Sequence, residues 1–155
     1  MASHVMTLSE SIVIRRPRAE VYALAEDLPA HAGKLSAIAE FERLAGEGAP
    51  GVGHRWRIVG ETRLGRRSGT VEITALERPE KLAFQGEGRG FRADTSVSFD
   101  VVDDGRCRLT TSSEIYALTF AARLLAPGMR LWRRRAQKGM KKGLKHLKKR
   151  LEQSG

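Results

Sequence analysis

The hydrophobic pattern of this chain changes close to residue 128, and that change limits the folds open to it. Residues 91–101 alternate apolar and polar positions without interruption, which is the pattern of a half-buried antiparallel strand. After Pro127 and Gly128 the apolar residues recur every three or four positions up to Leu151. That spacing predicts one long amphipathic helix of about six turns. A sheet with one apolar face is therefore followed by a helix that is long enough to cover it.

The remaining strands and turns follow from alternation and turn residues. Expected strands span residues 7–16, 38–44, 54–64, 70–77, 81–88 and 107–118, with turns at 65–69, 88–90 and 103–105. Asp104-Gly105 favours a type I′ turn. Helices are expected near residues 18–27 and 30–36, each starting or ending at a proline. The prediction is an α+β architecture. A curved antiparallel sheet of about seven strands wraps around the C-terminal helix, with two short helices after the first strand.

Length and composition fit one domain. The chain has 155 residues, of which 41 % are hydrophobic and 30 % charged, which suits a single core. We expect a domain over residues 7–152, with residues 1–6 disordered or vector-derived. No stretch approaches the ~20 consecutive apolar residues of a membrane span, and no secretory signal pattern is present. Because Cys107 is the one cysteine, we expect a cytoplasmic protein, with peripheral membrane contact as an option.

Positive charge is concentrated in the C-terminal helix. The net charge is +10, and 11 of the 28 basic residues lie between Arg130 and Arg150, a window without any acidic residue. The other 17 basic residues nearly balance the 18 acidic ones. We expect an anionic-surface-binding face formed by Lys138, Lys141, Lys142, Lys145, Lys148 and Lys149. The favoured partner is an anionic membrane, the second candidate is RNA or a ribosome, and the third is solvent alone.

The residues that usually carry catalysis or metal binding do not converge. The histidines, His4, His31, His54 and His146, lack metal-ligand spacing. His54 is expected to be an exposed residue at a strand start. The glycines of residues 46–51 form a G-x-G-x-x-G string, but a strand follows it where a nucleotide site needs a helix, so a loop near a cavity mouth is favoured.

Acidic residues add no catalytic pair. The alternation directs Glu61, Glu72 and Glu114 outward. Only a register slip would turn His54 or Tyr116 inward as a proton-transfer group. We therefore predict no catalytic residue, no metal and no cofactor.

The sheet face that is turned toward the helix combines apolar side chains with a few hydroxyls. Its expected ligand-binding residues are Trp56, Ile58, Thr62, Phe84, Phe91, Val97, Phe99, Thr111 and Ser113, and those of the helix are Trp132, Ala136, Gly139, Met140 and Gly143. A glycine inside a helix costs about 1 kcal/mol relative to alanine. Gly139 and Gly143 therefore indicate either close approach of helix and sheet or space for a ligand, and we favour space. The competing interpretation is a filled core.

Four segments carry a family likeness: IVIRRPRAEVYALAEDL (12–28), GVGHRWRI (51–58), ALERPEKLAF (75–84) and LKHLKKRLE (144–152). Together they resemble the SRPBCC superfamily of START-like, helix-grip proteins, over residues 8–152. The resemblance implies a relation to polyketide cyclases, pollen-allergen-like proteins and coenzyme Q-binding proteins. The Trp that many members carry in a Pro-x-x-Trp context does not follow Pro29. No position matches the catalytic residues of the aromatase/cyclases.

Three functions remain open on these observations. The first is binding, and with it transport, of a hydrophobic small molecule such as a lipid, isoprenoid or polyketide, held between sheet and helix. The second is a polyketide cyclase or dehydratase that acts in the same cavity. The third is an RNA- or ribosome-associated protein that uses the basic helix. The oligomeric state is not predicted.

Overall fold

One antiparallel sheet and a long C-terminal helix make up the fold. The computed structural model describes residues 2–26, 38–48, 51–62 and 65–153. Its elements are β1 (Ser3–Ile14), α1 (Arg18–Glu26), β2 (Ile38–Ala45), β3 (Arg55–Thr62), β4 (Gly65–Glu77), β5 (Lys81–Gly88), β6 (Phe91–Asp103), β7 (Arg106–Ala117), α2 (Phe120–Arg130) and α3 (Arg133–Gln153). The seven strands are ordered β1-β7-β6-β5-β4-β3-β2. The predicted helix-grip fold is confirmed.

The register of the central strands creates the inner face of the sheet. Directly paired residues of antiparallel strands point to the same side. The three rows that matter are Phe84–Thr95–Ser113, Leu82–Val97–Thr111 and Phe99–Leu109. The alternation in residues 91–101 therefore continues across β5 and β7 and gives one apolar face with a line of hydroxyls.

The inner face and two helices enclose the main core. Its fully buried residues include Ile14, Val21, Leu82, Phe99 and Leu109. On α3, only Leu144, Leu147 and Leu151 are buried, one per turn toward the C-terminal end. A second cluster lies beneath α2, where Ala122 and Ala126 pack against Val5, Met6, Leu8 and Ala117. The N-terminal half of α3 is therefore held against the sheet less tightly than its end.

The free edge of β1 is covered by side chains of α2 and α3. β1 pairs with β7 on one side only, so the carbonyls along its other edge need donors. Three of them receive hydrogen bonds, from Arg130 to Val5 O, Arg133 to Thr7 O and Gln137 to Ser9 O. The donors are three to four residues apart and the acceptors two apart, so helix and strand run side by side.

Several boundaries differ from the sequence-based expectations. Residues 3–6, which were expected to precede the domain, form the start of β1, where Val5 and Met6 are buried under α2. Residues 65–69, expected to be a turn, pair with β3 as the start of β4. The turn at residues 88–90 has positive φ angles at Arg89 and Gly90, as a tight hairpin requires. The second short helix, expected near 30–36, lies outside the described residues.

The C-terminal helix is preceded by a helix that the pattern did not predict. The Thr119 side chain caps α2 by accepting from the Ala122 amide at 3.1 Å, and Pro127 lies inside α2 without ending it. The break falls at residues 131–132, after which α3 begins. The Asp104-Gly105 turn also differs, since neither residue has a positive φ. The Asp103 carboxylate holds this turn by accepting from the Gly105 amide at 3.0 Å.

Candidate ligand cavity

A cavity of about 520 Å³ lies between the inner face of the sheet and α3. Sheet and α1 line it with Ala25, Leu82, Phe84, Val97, Leu109 and Thr111, and α3 with Gly139, Met140, Lys142, Gly143, Leu144, His146 and Leu147. Such a volume is within the range of small-molecule sites. The wall is apolar apart from Thr111 on the sheet and Lys142 and His146 on α3.

The two glycines of α3 open this cavity. A Cβ built on Gly139 or Gly143 would meet no heavy atom within 4 Å outside the local backbone. Helix and sheet therefore do not approach closely at these positions. Of the two explanations considered for the paired glycines, the geometry supports empty space.

Hydroxyl groups give the inner face a short polar line. Thr111 lines the cavity and Ser113 follows it on β7; both are buried. Thr95 Oγ1 and Ser113 Oγ are 2.8 Å apart and share a hydrogen bond, so they satisfy each other. Because Thr111 is the hydroxyl-bearing residue of the sheet among the described cavity-lining residues, its hydroxyl is the sheet group best placed to meet a polar atom of a ligand.

Six residues predicted for the site line the cavity: Phe84, Val97, Thr111, Gly139, Met140 and Gly143. Others share the inner face without reaching the cavity, namely Trp56, Ile58, Phe91, Phe99 and Ser113. Phe99 instead packs edge-on against Tyr22, with ring centroids 5.1 Å apart. The side chain of Thr62 lies outside the described residues.

Trp132 and Ala136, which the sequence predicted to line the cavity, lie outside it. Trp132 is 58 % exposed, because the helix breaks at residues 131–132 and the stripe does not continue through it. Ala136 is also exposed. Seven further residues line the cavity without having been predicted for it: Ala25, Leu82, Leu109, Lys142, Leu144, His146 and Leu147. The spacing of His146, three residues after Gly143 and seven after Gly139, already indicated that it shares their face.

His54 is buried, contrary to the sequence-based expectation. Its ring lies against Gly46 and Gly51 and 6.0 Å from the Trp56 ring, between centroids. Its Nδ1 has no hydrogen-bond partner among the described residues. His54 is not among the described residues around the cavity; it packs Gly46 and Gly51 against the start of β3.

Tyr116 and the acidic residues lie outside the cavity, as expected for an outward face. The Tyr116 hydroxyl donates to Glu114 Oε2 at 3.1 Å, and this hydrogen bond raises the pKa of Tyr116. The Arg92 guanidinium lies 4.7 Å from the Tyr116 ring centroid. Glu72 pairs with Arg55 at 3.0 Å, and the side chain of Glu61 is not described. No Asp or Glu is among the described lining residues.

Most lysines of α3 lie on its outer face. Lys138, Lys141, Lys145 and Lys149 are exposed, while Lys148 is partly covered and lies 3.8 Å from Glu152. Lys142 is exposed as well but lines the cavity. Buried leucines occupy the opposite face. Among the described residues, no helix is long and apolar enough to cross a membrane, and no group of three or more potential metal ligands is present.

Comparison with known proteins gives the family. The profile described as "polyketide cyclase / dehydrase and lipid transport" matches residues 6–152. The chain belongs to this family. Its membership also places it in the SRPBCC superfamily, as the segment resemblance predicted. No curated protein is significantly similar to the chain.

Solved structures share the fold of this family member. TTHA0849 from Thermus thermophilus is 22 % identical, with a TM-score of 0.73 over 97 % of this chain and 99 % of that one. The ZhuI aromatase/cyclase from Streptomyces sp. R1128 is 13 % identical, with a TM-score of 0.69 over 97 % and 98 %. A START superfamily protein from Mycobacterium smegmatis is 12 % identical, with a TM-score of 0.67 over 99 % and 100 %.

Proposed function

We propose that this family member binds a hydrophobic small molecule, such as a lipid, isoprenoid or polyketide, between the sheet and α3, and carries it within the cytoplasm. The observation that supports this most directly is the apolar cavity of about 520 Å³, which the side-chain-free Gly139 and Gly143 leave open. A filled core would place side chains at these positions. Membership of a family that includes lipid transport agrees with the proposal.

The lining specifies what kind of ligand fits. Leu82, Phe84, Val97 and Leu109 offer only hydrocarbon to one side of it. Thr111 supplies one hydroxyl, and Lys142 and His146 stand one turn apart on α3. We therefore propose a ligand with an apolar body and a hydroxyl, carbonyl or acidic group at one end.

The test combines ligand detection with a cavity-filling variant. Native mass spectrometry of the freshly purified protein should reveal a co-purified apolar molecule. Gly139→Leu should lower the affinity for anilinonaphthalene sulfonate by about tenfold or more, which corresponds to ~1.4 kcal/mol. Gly128→Leu is the matched control, because Gly128 is also helical with open space around it but lies outside the cavity. Equal probe affinity in the wild type and both variants would contradict the proposal.

A second candidate is a cyclase or dehydratase that uses the same cavity. The observation that favours it is His146, a side chain able to exchange protons that lines the cavity. His146→Gln should then abolish turnover of a poly-β-keto substrate while leaving its binding intact. Binding without turnover in the wild type would exclude this enzyme activity and leave the carrier function.

A further inference from the structure

The solvent-facing side of α2 and the turn after it is apolar. Five residues, hereafter the apolar ridge, are largely exposed: Phe120 (73 %), Leu124 (67 %), Leu125 (62 %), Leu131 (85 %) and Trp132 (58 %). Single exposed apolar residues are ordinary on a protein surface, but a contiguous group marks an interaction site.

The ridge is the outward face of an amphipathic helix. Phe120, Leu124 and Leu131 are four and seven residues apart, so they recur on one side of α2. Ala122 and Ala126 occupy the opposite side and are buried against the β1–β7 cluster. The buried side of α2 thus carries small side chains and its exposed side carries large apolar ones. A helix whose only role is to complete the core would show the opposite arrangement.

The charges along the sequence around the ridge are all positive. No acidic residue occurs between Glu114 and Glu152, whereas this interval holds 12 lysines and arginines. The Arg135 guanidinium lies 4.7 Å from the Trp132 ring centroid. Arg130 and Arg133 bond to carbonyls of β1, so the ridge is fastened to the edge of the sheet.

We propose that the apolar ridge docks the protein on an anionic lipid bilayer, inserting into the boundary between headgroups and acyl chains while the lysines of α3 contact lipid phosphates. Apolar residues flanked by lysine and arginine are the composition of interfacial helices. The composition of this surface argues against a second copy of the chain and against RNA as the partner. A second copy would bring 12 further cations to the same surface, and RNA phosphates offer nothing to five exposed apolar side chains.

Docking at the ridge would bring the bilayer to one end of the cavity. Met140 packs against the cluster beneath α2 and also lines the cavity. The proposal is independent of the cavity ligand, because neither the ridge residues nor the outer lysines need a bound molecule to be exposed.

Tryptophan fluorescence can test insertion directly. The chain has two tryptophans, of which Trp56 is 2 % exposed and Trp132 is 58 % exposed. Phosphatidylcholine vesicles with about 30 mol % phosphatidylglycerol should shift the emission to the blue, and brominated acyl chains should quench it. The Trp132→Phe variant, which reports Trp56 alone, should show neither change. Equal spectra with and without vesicles at low salt would overturn the proposal.

Co-sedimentation separates the ridge from the charge. Leu124→Ser combined with Leu131→Ser should lower vesicle binding by about tenfold or more. The matched control is Val101→Ser, which changes an apolar residue that is 57 % exposed on β6. Replacing Lys141, Lys145, Lys148 and Lys149, none of which lines the cavity, by Gln should abolish binding to the anionic vesicles. High salt should weaken binding by the wild type because exposed charges are screened over about 8 Å at physiological ionic strength.

Three further results would overturn docking through the ridge. One is equal vesicle binding by the wild type and the double serine variant, since charge alone would then suffice. Another is a concentration-dependent dimer that the serine variant loses, since the ridge would then be a protein interface. The last is recovery of ribosomal RNA, and not lipid, with the protein at physiological salt. Circular dichroism and the thermal midpoint must match the wild type in each variant, as expected for exposed positions.

Discussion

Arg15 and Glu152, which lie 137 residues apart in the sequence, are joined by three hydrogen bonds. The Arg15 backbone amide donates to Glu152 Oε2 at 2.9 Å, and its Nε and Nη2 donate to Oε1 at 3.1 and 3.0 Å. Next to this pair, Arg16 Nε donates to Leu151 O at 3.0 Å. The last turn of α3 is therefore attached to the end of β1, on the side of the domain away from α2.

The Arg15–Glu152 pair predicts an acid-dependent loss of stability. The hydrogen bond from the Arg15 amide lowers the pKa of Glu152 in the folded state. The ionised Glu152 carboxylate therefore stabilises the folded state above the pKa of Glu152 in the unfolded chain, about 4.3. This stabilisation is lost as the pH falls through the lower pKa of Glu152 in the folded state. Thermal midpoints measured from pH 7 to pH 2.5 should show a smaller acid-dependent decrease in Glu152→Gln than in the wild type. Glu47→Gln, in an exposed loop, is the control and should follow the wild-type curve.

Gly139→Ala and Gly143→Ala are expected to stabilise the protein. Each adds a methyl group to open space and removes the helix penalty of glycine, about 1 kcal/mol. Urea unfolding should show the gain in each variant. A destabilised Gly139→Ala protein would mean that helix and sheet are packed too closely here for a methyl group.

Two glycines of the 46–53 loop should respond differently to alanine. Gly46 and Gly48 both have positive φ angles, +93° and +73°, so both substitutions impose backbone strain. At Gly46, a Cβ would also overlap the His54 ring at Cδ2, whereas at Gly48 it would meet nothing within 4 Å. Gly46→Ala should therefore lower the thermal midpoint clearly more than Gly48→Ala. Combining Gly46→Ala with His54→Ala should recover part of that difference, and equal effects of the two single variants would refute the packing role of His54.

The two phenylalanines Phe99 and Phe120 form a matched pair for stability. Phe99 is 1 % exposed and packs against Tyr22, whereas Phe120 is 73 % exposed. Phe99→Ala should cost about 3–5 kcal/mol of unfolding free energy, and Phe120→Ala less than about 0.5 kcal/mol. Chemical denaturation measures both. A large loss from Phe120→Ala would show that the ridge is part of the folded core.

Periodicity in the sequence was sufficient to predict the sheet. The alternation of residues 91–101 and the helical spacing near Leu144 and Leu147 each identify the face of the element that is buried. Helix α2 was missed because Pro127 and Gly128 usually end a helix. In the structure, packing of Ala122 and Ala126 on β1 and the Thr119 cap outweigh these local preferences.

Cavity-lining residues could be predicted where strand register determines their position. They could not be predicted where a break in the helix determines it. Phe84, Val97 and Thr111 line the cavity because strand pairing places them on one face. Trp132 follows the same spacing as the stripe of α3, yet the break at residues 131–132 separates it from that helix. The burial of His54 depends on a loop that returns over it, and such a contact leaves no periodic signal.

The pairing of β1 with β7 sets the order in which this protein can fold during translation. β1 leaves the ribosome first, but its partners from Cys107 to Ala117 follow only after roughly a hundred residues, or about 5–20 s of synthesis. Until then Val5, Leu8 and Ile14 have no sheet neighbour, and the donors that cover the outer edge of β1 are made later still. A nascent chain that stalls before β7 is complete thus exposes β1 as an unpaired apolar strand, and this strand is the segment on which chaperones would act.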